Sequence, residues 1–392
     1  MSHKFRGKYA IVGVGQSPLG KVPEQNDIGL FAIAAKNAIE DAGLTRADVD
    51  GLISHGPDDT YTHHQHVGQA LGINTSFSTS TDNGGASQVL GVAMACMAID
   101  AGLCNTVVVG YARDAWSRTH RSAEAKAMVA ANSEAQALKE FGPEFGLFGQ
   151  PAHYAIAARR HMQLFGTKKE QLGAIAVAFR NHARKNPTAF MRDPLTLEQY
   201  MKARMIVDPL GLYDCSIYVD AAGAVVVTSA ERARDLKKPP AYVLGFGFGN
   251  RLKGWFAEDN MITTGAKEAG ETAYRMAGVG PEDVDTAQMY DCFTHMVLLQ
   301  IEDYGFCKKG EGGPFAASGA LEFDGKLPTN TSGGQLSEGH VQGMLQICEG
   351  VRQIRHEHGP DRQVKDAEIA LVTGHGGNTV CQSAVILARE AS

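Results

Sequence analysis

The stretch 38–56, AIEDAGLTRADVDGLISHG, returns later in the chain as 273–291, AYRMAGVGPEDVDTAQMYD. Ala42-Gly43 aligns with Ala277-Gly278, and Asp48-Val49-Asp50 with Asp283-Val284-Asp285, at one constant offset of 235 residues. The first copy reads as the end of a helix (28–43) stopped by glycine, a polar turn, and the strand VDGLISHG. A second pair follows: DNGGASQ (82–88) and NTSGGQL (330–336), each leading into a helix and then an apolar strand, TVVVGYA (106–112) and IALVTGHGG (369–377). Such spacing marks an internal duplication, with sites expected where the two copies meet.

Working outward, YAIVGVGQSPLG (9–20) reads as a buried strand ending in a glycine turn, and strands alternate with helices through the first hundred residues. That alternation predicts an α/β chain with a mostly parallel sheet covered on both faces. A first half over 1–235 and a second over 236–392 are expected, the second opened by PPAYVLGFGFGN (239–250). Residues from about 114 to 210 differ in character and read as an insertion. They hold HRSAEAKAMVAANSEAQALKEFG (120–142) and the helical EQLGAIAVAFRNHARKNP (170–187).

Composition bounds the function. With 392 residues, 44% hydrophobic and 20% charged, the chain is an ordinary globular one. A net charge of −6 without long runs argues against a general nucleic-acid binder. No apolar run approaches the roughly 18 residues that would span a bilayer, and the start, MSHKFRGKYAIVGVG, carries no signal-peptide pattern. Seven cysteines are scattered with no CxxC pair, which suits reduced thiols in the cytoplasm. HHQH (63–66) has no matched cysteine or carboxylate set, so it is read as a polar loop and no metal site is expected.

The junction TSTDNGGASQ (79–88) opens onto a small-residue helix, where unpaired N–H groups and the helix dipole would suit a nucleophile or an anion. None of the usual nucleophiles stands there. Ser87 has no evident base, and Cys96, about three turns along, is expected to pack in the core.

Taken together, the duplication, AIVGVGQSPLG (10–20), MYDCFTHMVLLQIEDYGFCKKGEGG (289–313), NTSGGQLSEGHVQG (330–343) and GHGGNTVCQSAVIL (374–387) resemble the thiolase superfamily, especially sterol-carrier-type thiolases and their lipid-transfer relatives. The resemblance covers essentially the whole chain. It implies a five-layer α-β-α-β-α sandwich of two duplicated halves, a loop insertion in the first, a homodimer, and acyl-CoA ligands. No cofactor is implied beyond the coenzyme A that the substrate carries.

Thiolases of this superfamily carry a nucleophilic cysteine in a CxSG-type motif, and the resemblance places Gly85 at that position. A glycine cannot form an acyl-enzyme; the space left at Gly85 is expected to admit a branched or ring-bearing acyl chain. The HDCF loop of the superfamily is matched by Tyr290-Asp291-Cys292-Phe293, with tyrosine in place of histidine. Asp291 is expected to cap or orient that loop. His340 falls on the histidine of the GHP-type loop, with Val341 where proline is usual, and Asn330 carries over as its neighbour. His375-Gly376-Gly377 matches a histidine before a glycine-rich loop, His375 lining the pocket or supporting that loop. The glycines there would let backbone N–H groups approach a thioester oxygen.

An acyl-CoA scaffold without a nucleophile points to retro-aldol cleavage of a β-hydroxyacyl-CoA, which needs no acyl carrier. Tyr290 or His340 would serve as base, the other would hold the enolate oxygen, and Cys292 would reprotonate the α-carbon. Some lipid-transfer relatives are aldolases that act on steroid side chains with a small zinc-ribbon/OB-fold partner; His340 stands where a second tyrosine is expected in those. The alternatives are a thiolase-type acyltransferase and a non-catalytic acyl-CoA or lipid-binding subunit.

Overall fold

The structure is a computed structural model and describes residues 3–56, 61–121, 144, 146–147, 149–252, 261–377 and 381–391. In chain order, β1 (Tyr9–Gln16), α1 (Asp27–Asp41), β2 (Gly51–His55), α2 (His63–Leu71), β3 (Phe77–Ser80), α3 (Ser87–Asp100) and β4 (Thr106–Asp114) come first. Then follow α4 (Ala115–Arg121), α5 (Gly149–Phe165), α6 (Lys169–Lys185), α7 (Leu197–Met201) and a small hairpin, β5 (Met205–Val207) and β6 (Leu210–Gly211). β7 (Asp220–Ser229) and α8 (Ala230–Ala233) lead back to the main sheet. The chain ends with β8 (Ala241–Asn250), α9 (Ala266–Ala277), β9 (Thr286–Gln288), α10 (Thr294–Asp303), α11 (Gly312–Ala317), α12 (Gly334–Ser337), α13 (Met344–Ile354), β10 (Ile369–Gly376) and β11 (Cys381–Ala388). Most of the stretch 120–142 lies outside the described residues.

Among the described residues, nine strands form one sheet in the order β3-β2-β4-β7-β1-β8-β11-β10-β9. The expected mostly parallel sheet is corrected here, because the sheet is mixed. β7 pairs antiparallel with both β1 and β4, and β11 does the same between β8 and β10. Among the described strands, parallel pairing is confined to β2–β3, β2–β4 and β9–β10. Short antiparallel pairing of β1 with β8 joins the two wings.

Period-two alternation sorts each strand between two cores. Val107, Val109, Val225, Val227, Val243, Val372 and Val385 share a buried cluster with α3 and α13 residues such as Val92, Ala95, Ile347 and Val351. The opposite faces, including Val108, Val226, Leu244 and Ile386, pack with α1 and α9. Two sheet wings therefore enclose a central helical layer and carry outer helices, which makes the five layers of a thiolase-like fold.

The repeat is built from the same local devices. Side chains on Gly13 and Gly15 of β1 would strike the carbonyls of Ala38 and Ala34; on Gly245 and Gly247 of β8 they would strike those of Ala273 and Ala269. Each outer helix thus rests directly on a strand backbone, an approach that only glycine permits. Asp48 and Asp283 each accept from the backbone N–H three residues back, Thr45 and Gly280. Asp50 accepts from the N–H groups of Asn105 and Thr106 where β4 begins, as Asp285 does from Glu368 and Ile369 where β10 begins. One expected correspondence shifts: NTSGGQL leads only into the four-residue α12, and the layer partner of α3 is α13. HHQH is corrected as well, since it forms the first turn of α2; His63 is buried between Ser54 and Asp27, and His64 bonds Ser80.

Candidate active site

Tyr290 follows the end of β9, and its backbone is held from both sides. Its N–H donates to Thr373 Oγ1 (2.9 Å), its carbonyl accepts from Gln300 Nε2 (2.7 Å), and Thr373 Oγ1 donates to Gln300 Oε1 (2.5 Å). This closed ring joins β10 and α10 around one residue and fixes where its side chain goes. The side chain lies against Gly85: a Cβ built there would clash with the phenol edge, at Tyr290 Cε2 and its Oη. On the far side, a Cβ on Gly343 would come 3.1 Å from Tyr290 Cδ2. The phenol ring is therefore held between two glycines, one just before α3 and one capping α13. The expectation of open space at Gly85 is corrected: the tyrosine occupies it.

His340 stands edge-on to that ring, with Nε2 3.4 Å from Tyr290 Oη and the ring planes at 89°. Its backbone N–H donates to Ile217 O (3.1 Å), and its Nδ1 pairs with Ser216 Oγ (2.7 Å). Ser216 in turn donates its N–H to Cys292 O (2.9 Å). Ser216 comes from the segment before β7, a residue that no motif in the sequence flagged. Burial, and then the nearby cation of Arg113 in β4, pull the His340 imidazole down to about 3. Burial, with the Cys292 thiol next, drives the Tyr290 phenol well above its ordinary range. At neutral pH the pair is thus a neutral imidazole facing a neutral phenol, a free lone pair beside an O–H donor.

Cys292 and His375 meet through a residue of the insertion. Tyr154, in α5, puts its hydroxyl 2.6 Å from His375 Nε2 and lies near the Cys292 thiol. The other His375 nitrogen pairs with Gln382 Nε2 (2.5 Å), so both ring nitrogens are engaged and the side chain is only 1% exposed. Burial lowers His375 to about 3 and pushes the Cys292 thiol far up. Of its two expected roles, His375 takes that of internal support. Cys292 therefore stays a protonated thiol, and a weak acid, at neutral pH.

Other expectations are reassigned. Asn330 was expected beside the substrate. It is instead fully buried in a left-handed conformation, its amide spent on the Met289 N–H (2.6 Å) and carbonyl (2.9 Å). It brackets the strand that delivers Tyr290. Gly376 was expected to approach a thioester, but a side chain there would strike the Asn83 carbonyl, so its role is close packing of β10 on the 83–86 turn. Gly377 adopts φ +62 beside Gly84 and belongs to the same contact. Asp291 orients its loop by accepting from the N–H groups of Gln335 and Leu336 and from Gln346 Nε2, while burial raises its carboxyl to about 7. Ser87 Oγ accepts from Asn83 N–H, and Cys96 is buried in the central layer. Among the described residues no cluster of three or more histidine, cysteine or carboxylate groups could hold a metal ion.

A phenol in the nucleophile's place, paired with the retained histidine, can be set beside known proteins. Residues 252–389 match the thiolase C-terminal domain-like family. The chain is 38% identical to the 17-hydroxy-3-oxo-4-pregnene-20-carboxyl-CoA lyase of Mycobacterium tuberculosis, over 89% of this chain and 92% of that protein. It belongs to the thiolase superfamily. Within that superfamily it lies in the sterol-carrier-like, lipid-transfer branch. It is also 37% identical to the steroid side-chain-cleaving aldolase of Thermomonospora curvata, over 89% of this chain and 90% of the relative. A solved Ltp2-ChsH2(DUF35) aldolase superposes with a TM-score of 0.88 at 34% identity, covering 98% of both chains. This thiolase-superfamily chain has no described helix long and apolar enough to cross a membrane.

Proposed function

We propose that His340 and Tyr290 carry out retro-aldol cleavage of a β-hydroxyacyl-CoA. The enzyme is an acyl-CoA-acting carbon–carbon lyase, as are its lyase and aldolase relatives. One observation carries the assignment of the pair: the Tyr290 ring fills the position over Gly85 where a nucleophilic sulfur would stand, and its hydroxyl faces His340. Claisen chemistry through an acyl-enzyme has no atom to use there. Proton transfer and enolate stabilisation have both groups they need.

In the tautomer with Nδ1–H donating to Ser216, His340 Nε2 presents its lone pair and takes the β-hydroxyl proton. The O–H electrons become the new carbonyl, the Cα–Cβ bond breaks, and its electron pair moves onto the thioester as an enolate. Tyr290 Oη–H donates to the developing enolate oxygen, the α-carbon takes a proton from the Cys292 thiol, and the proton held on His340 then restores that thiol, so both groups return to their starting forms. At 3.4 Å apart, the two groups can both lie within hydrogen-bond reach of one substrate oxygen placed to one side of them. The reaction is redox-neutral, and coenzyme A enters only as part of the substrate.

A zinc-ribbon/OB-fold partner and a homodimer complete this reading; similarity to a two-component Ltp2-ChsH2(DUF35) aldolase supports the former. Seven free cysteines fit the reducing cytoplasm.

The test compares two incubations, each with and without a co-expressed partner. Release of aldehyde or ketone from a β-hydroxyacyl-CoA, unaffected by iodoacetamide, is the expected result. CoA-dependent cleavage of a β-ketoacyl-CoA would overturn it in favour of acyl transfer. Tight binding without turnover of either would leave a binding subunit.

A further inference from the structure

The polar contacts around His375 form a chain that leads from β11 to the Cys292 sulfur, and the steps at Tyr290 and His340 give it no task. Gln382 in β11 and His375 in β10 stand opposite each other in the antiparallel register, with Nε2 2.5 Å from Nδ1. His375 Nε2 lies 2.6 Å from Tyr154 Oη, and Tyr154, from α5 of the insertion, lies near the Cys292 thiol. Packing holds the rings in place. Tyr154 and Phe293 have centroids 4.4 Å apart, and His375 stands edge-on to Tyr154 at 5.7 Å and to Tyr290 at 5.6 Å.

Proton counting gives this chain a direction. Burial holds the His375 imidazole at about 3, so at neutral pH the ring carries one N–H. A Gln382 amide N–H facing Nδ1 requires a lone pair there, which puts the imidazole proton on Nε2. That Nε2–H donates to the Tyr154 oxygen, and the phenol proton is left for a different acceptor, the Cys292 sulfur. The reverse order would need the Gln382 amide turned over. Its two N–H donors would then stand where Oε1 has no partner among the described residues, and unmatched buried N–H groups are rarer than unmatched carbonyls.

We propose that Tyr154 donates to the Cys292 sulfur as the thiol gives its proton to the α-carbon, and that His375 and Gln382 are positioning residues that keep the phenol proton turned toward that sulfur. The inference rests on the retro-aldol reading. In that step the S–H bond breaks, its electron pair stays on sulfur, and the new C–H bond forms from the enolate's electron pair. The thiolate regains its proton from His340 at the end of the turnover. A buried thiolate without a donor is costly. A hydrogen bond to the charged form lowers that cost, and a donor whose own oxygen accepts a hydrogen bond is the stronger for it. The insertion thereby supplies the group that supports the transient anion.

Two measurements on the full chain, with any co-purifying partner, test this. In protein labelled with nitrogen-15 histidine, the ring nitrogen shifts report the tautomer, and the His375 signals are those missing from His375→Gln. The Nε2–H form is expected. Acid-quenched rapid mixing then follows a β-hydroxyacyl-CoA through its first turnover. Tyr154→Phe is expected to give a burst of about one equivalent of carbonyl product per site, then turnover about 10²-fold slower than wild type with KM unchanged. A variant that only loosened the site would slow both phases alike. His375→Gln retains a donor for Tyr154 and is expected to keep kcat within about threefold, while His375→Met, of similar size and without a donor, falls about tenfold. An Nδ1–H tautomer in the wild type, or equal slowing of both phases in Tyr154→Phe, overturns the chain; cleavage by the wild type then leaves the reaction standing. The Nε2–H tautomer with no carbonyl product from the wild type overturns the reaction, and the proton-supply role with it.

Discussion

α3 and α13 fill one central layer from opposite copies of the repeat, yet they begin in chemically different surroundings. The turn before α3 offers Gly84, Gly85 and a Ser87 hydroxyl already spent on Asn83. The segment before α13 carries His340, and its closing residue, Gly343, packs against Tyr290. Duplication gave the two copies the same glycine contacts under their outer helices, α1 and α9, and the same aspartate-held turns. The reactive groups come from one copy only, with Ser216 and Tyr154 added from outside the repeated units. The lesson is that a symmetric scaffold holds an asymmetric site, and each copy can be tested for what it contributes.

The strongest way to break the contrast is Gly85→Cys. The new side chain collides with Tyr290, so lyase kcat is expected to fall about 10³-fold without any gain of β-ketoacyl-CoA cleavage. Tyr290→Phe keeps the ring between its glycines and removes only the hydroxyl; a loss of about 10²–10³-fold in kcat with unchanged thermal unfolding is expected.

His340→Asn should cost about 10²-fold, and the wild-type pH profile sharpens the point. Because the imidazole is held down to about 3, it stays a neutral base as pH falls from 8 to 5. No acid limb is expected near the ordinary histidine value of about 6.5; a limb there that vanishes in His340→Asn would refute the lowered imidazole value while keeping His340 as the base, and a limb that persists in His340→Asn would place the base elsewhere.

Smaller effects separate scaffold from chemistry. Asp291→Asn sets an amide N–H2 against donors from Gln335, Leu336 and Gln346, and denaturant unfolding should show a loss of about 2 kcal/mol. Gly13→Ala and Gly245→Ala should destabilise by similar amounts, about 1–3 kcal/mol each, if the two copies bear equal loads. Cys96→Ala should leave kcat/KM unchanged, since that thiol is buried in the central layer and far from Tyr290.

The fold was legible because its causes are local and repeated. A 235-residue offset in helix stop, turn and strand appears in the chain itself, and each repeated aspartate acts within a few residues or on the next strand. Strand direction was less so: β7 and β11 read as apolar runs, and nothing in such a run says it is antiparallel. Tyr290, Asp291, Cys292 and His340 could be named because they lie in motif positions. Ser216, Tyr154 and Arg113 could not, since they reach the site by tertiary packing across more than a hundred residues. The same cause misled the reading of Gly85. Absence of a side chain was visible, whereas its replacement by a ring from residue 290 is a contact between copies. Asn330 was placed near the site by its motif, but the direction of its amide is decided by the Met289 backbone.

The ring held between Gly85 and Gly343 also constrains how this protein can change. A sulfur at 85 and a phenol at 290 compete for one volume, so each is deleterious in the presence of the other, a case of sign epistasis. Any mutational path back to covalent catalysis must first shrink residue 290 and pass through an intermediate lacking both chemistries. The order of steps is set by steric exclusion, and the valley between the two activities is as deep as the loss that Tyr290→Phe would measure.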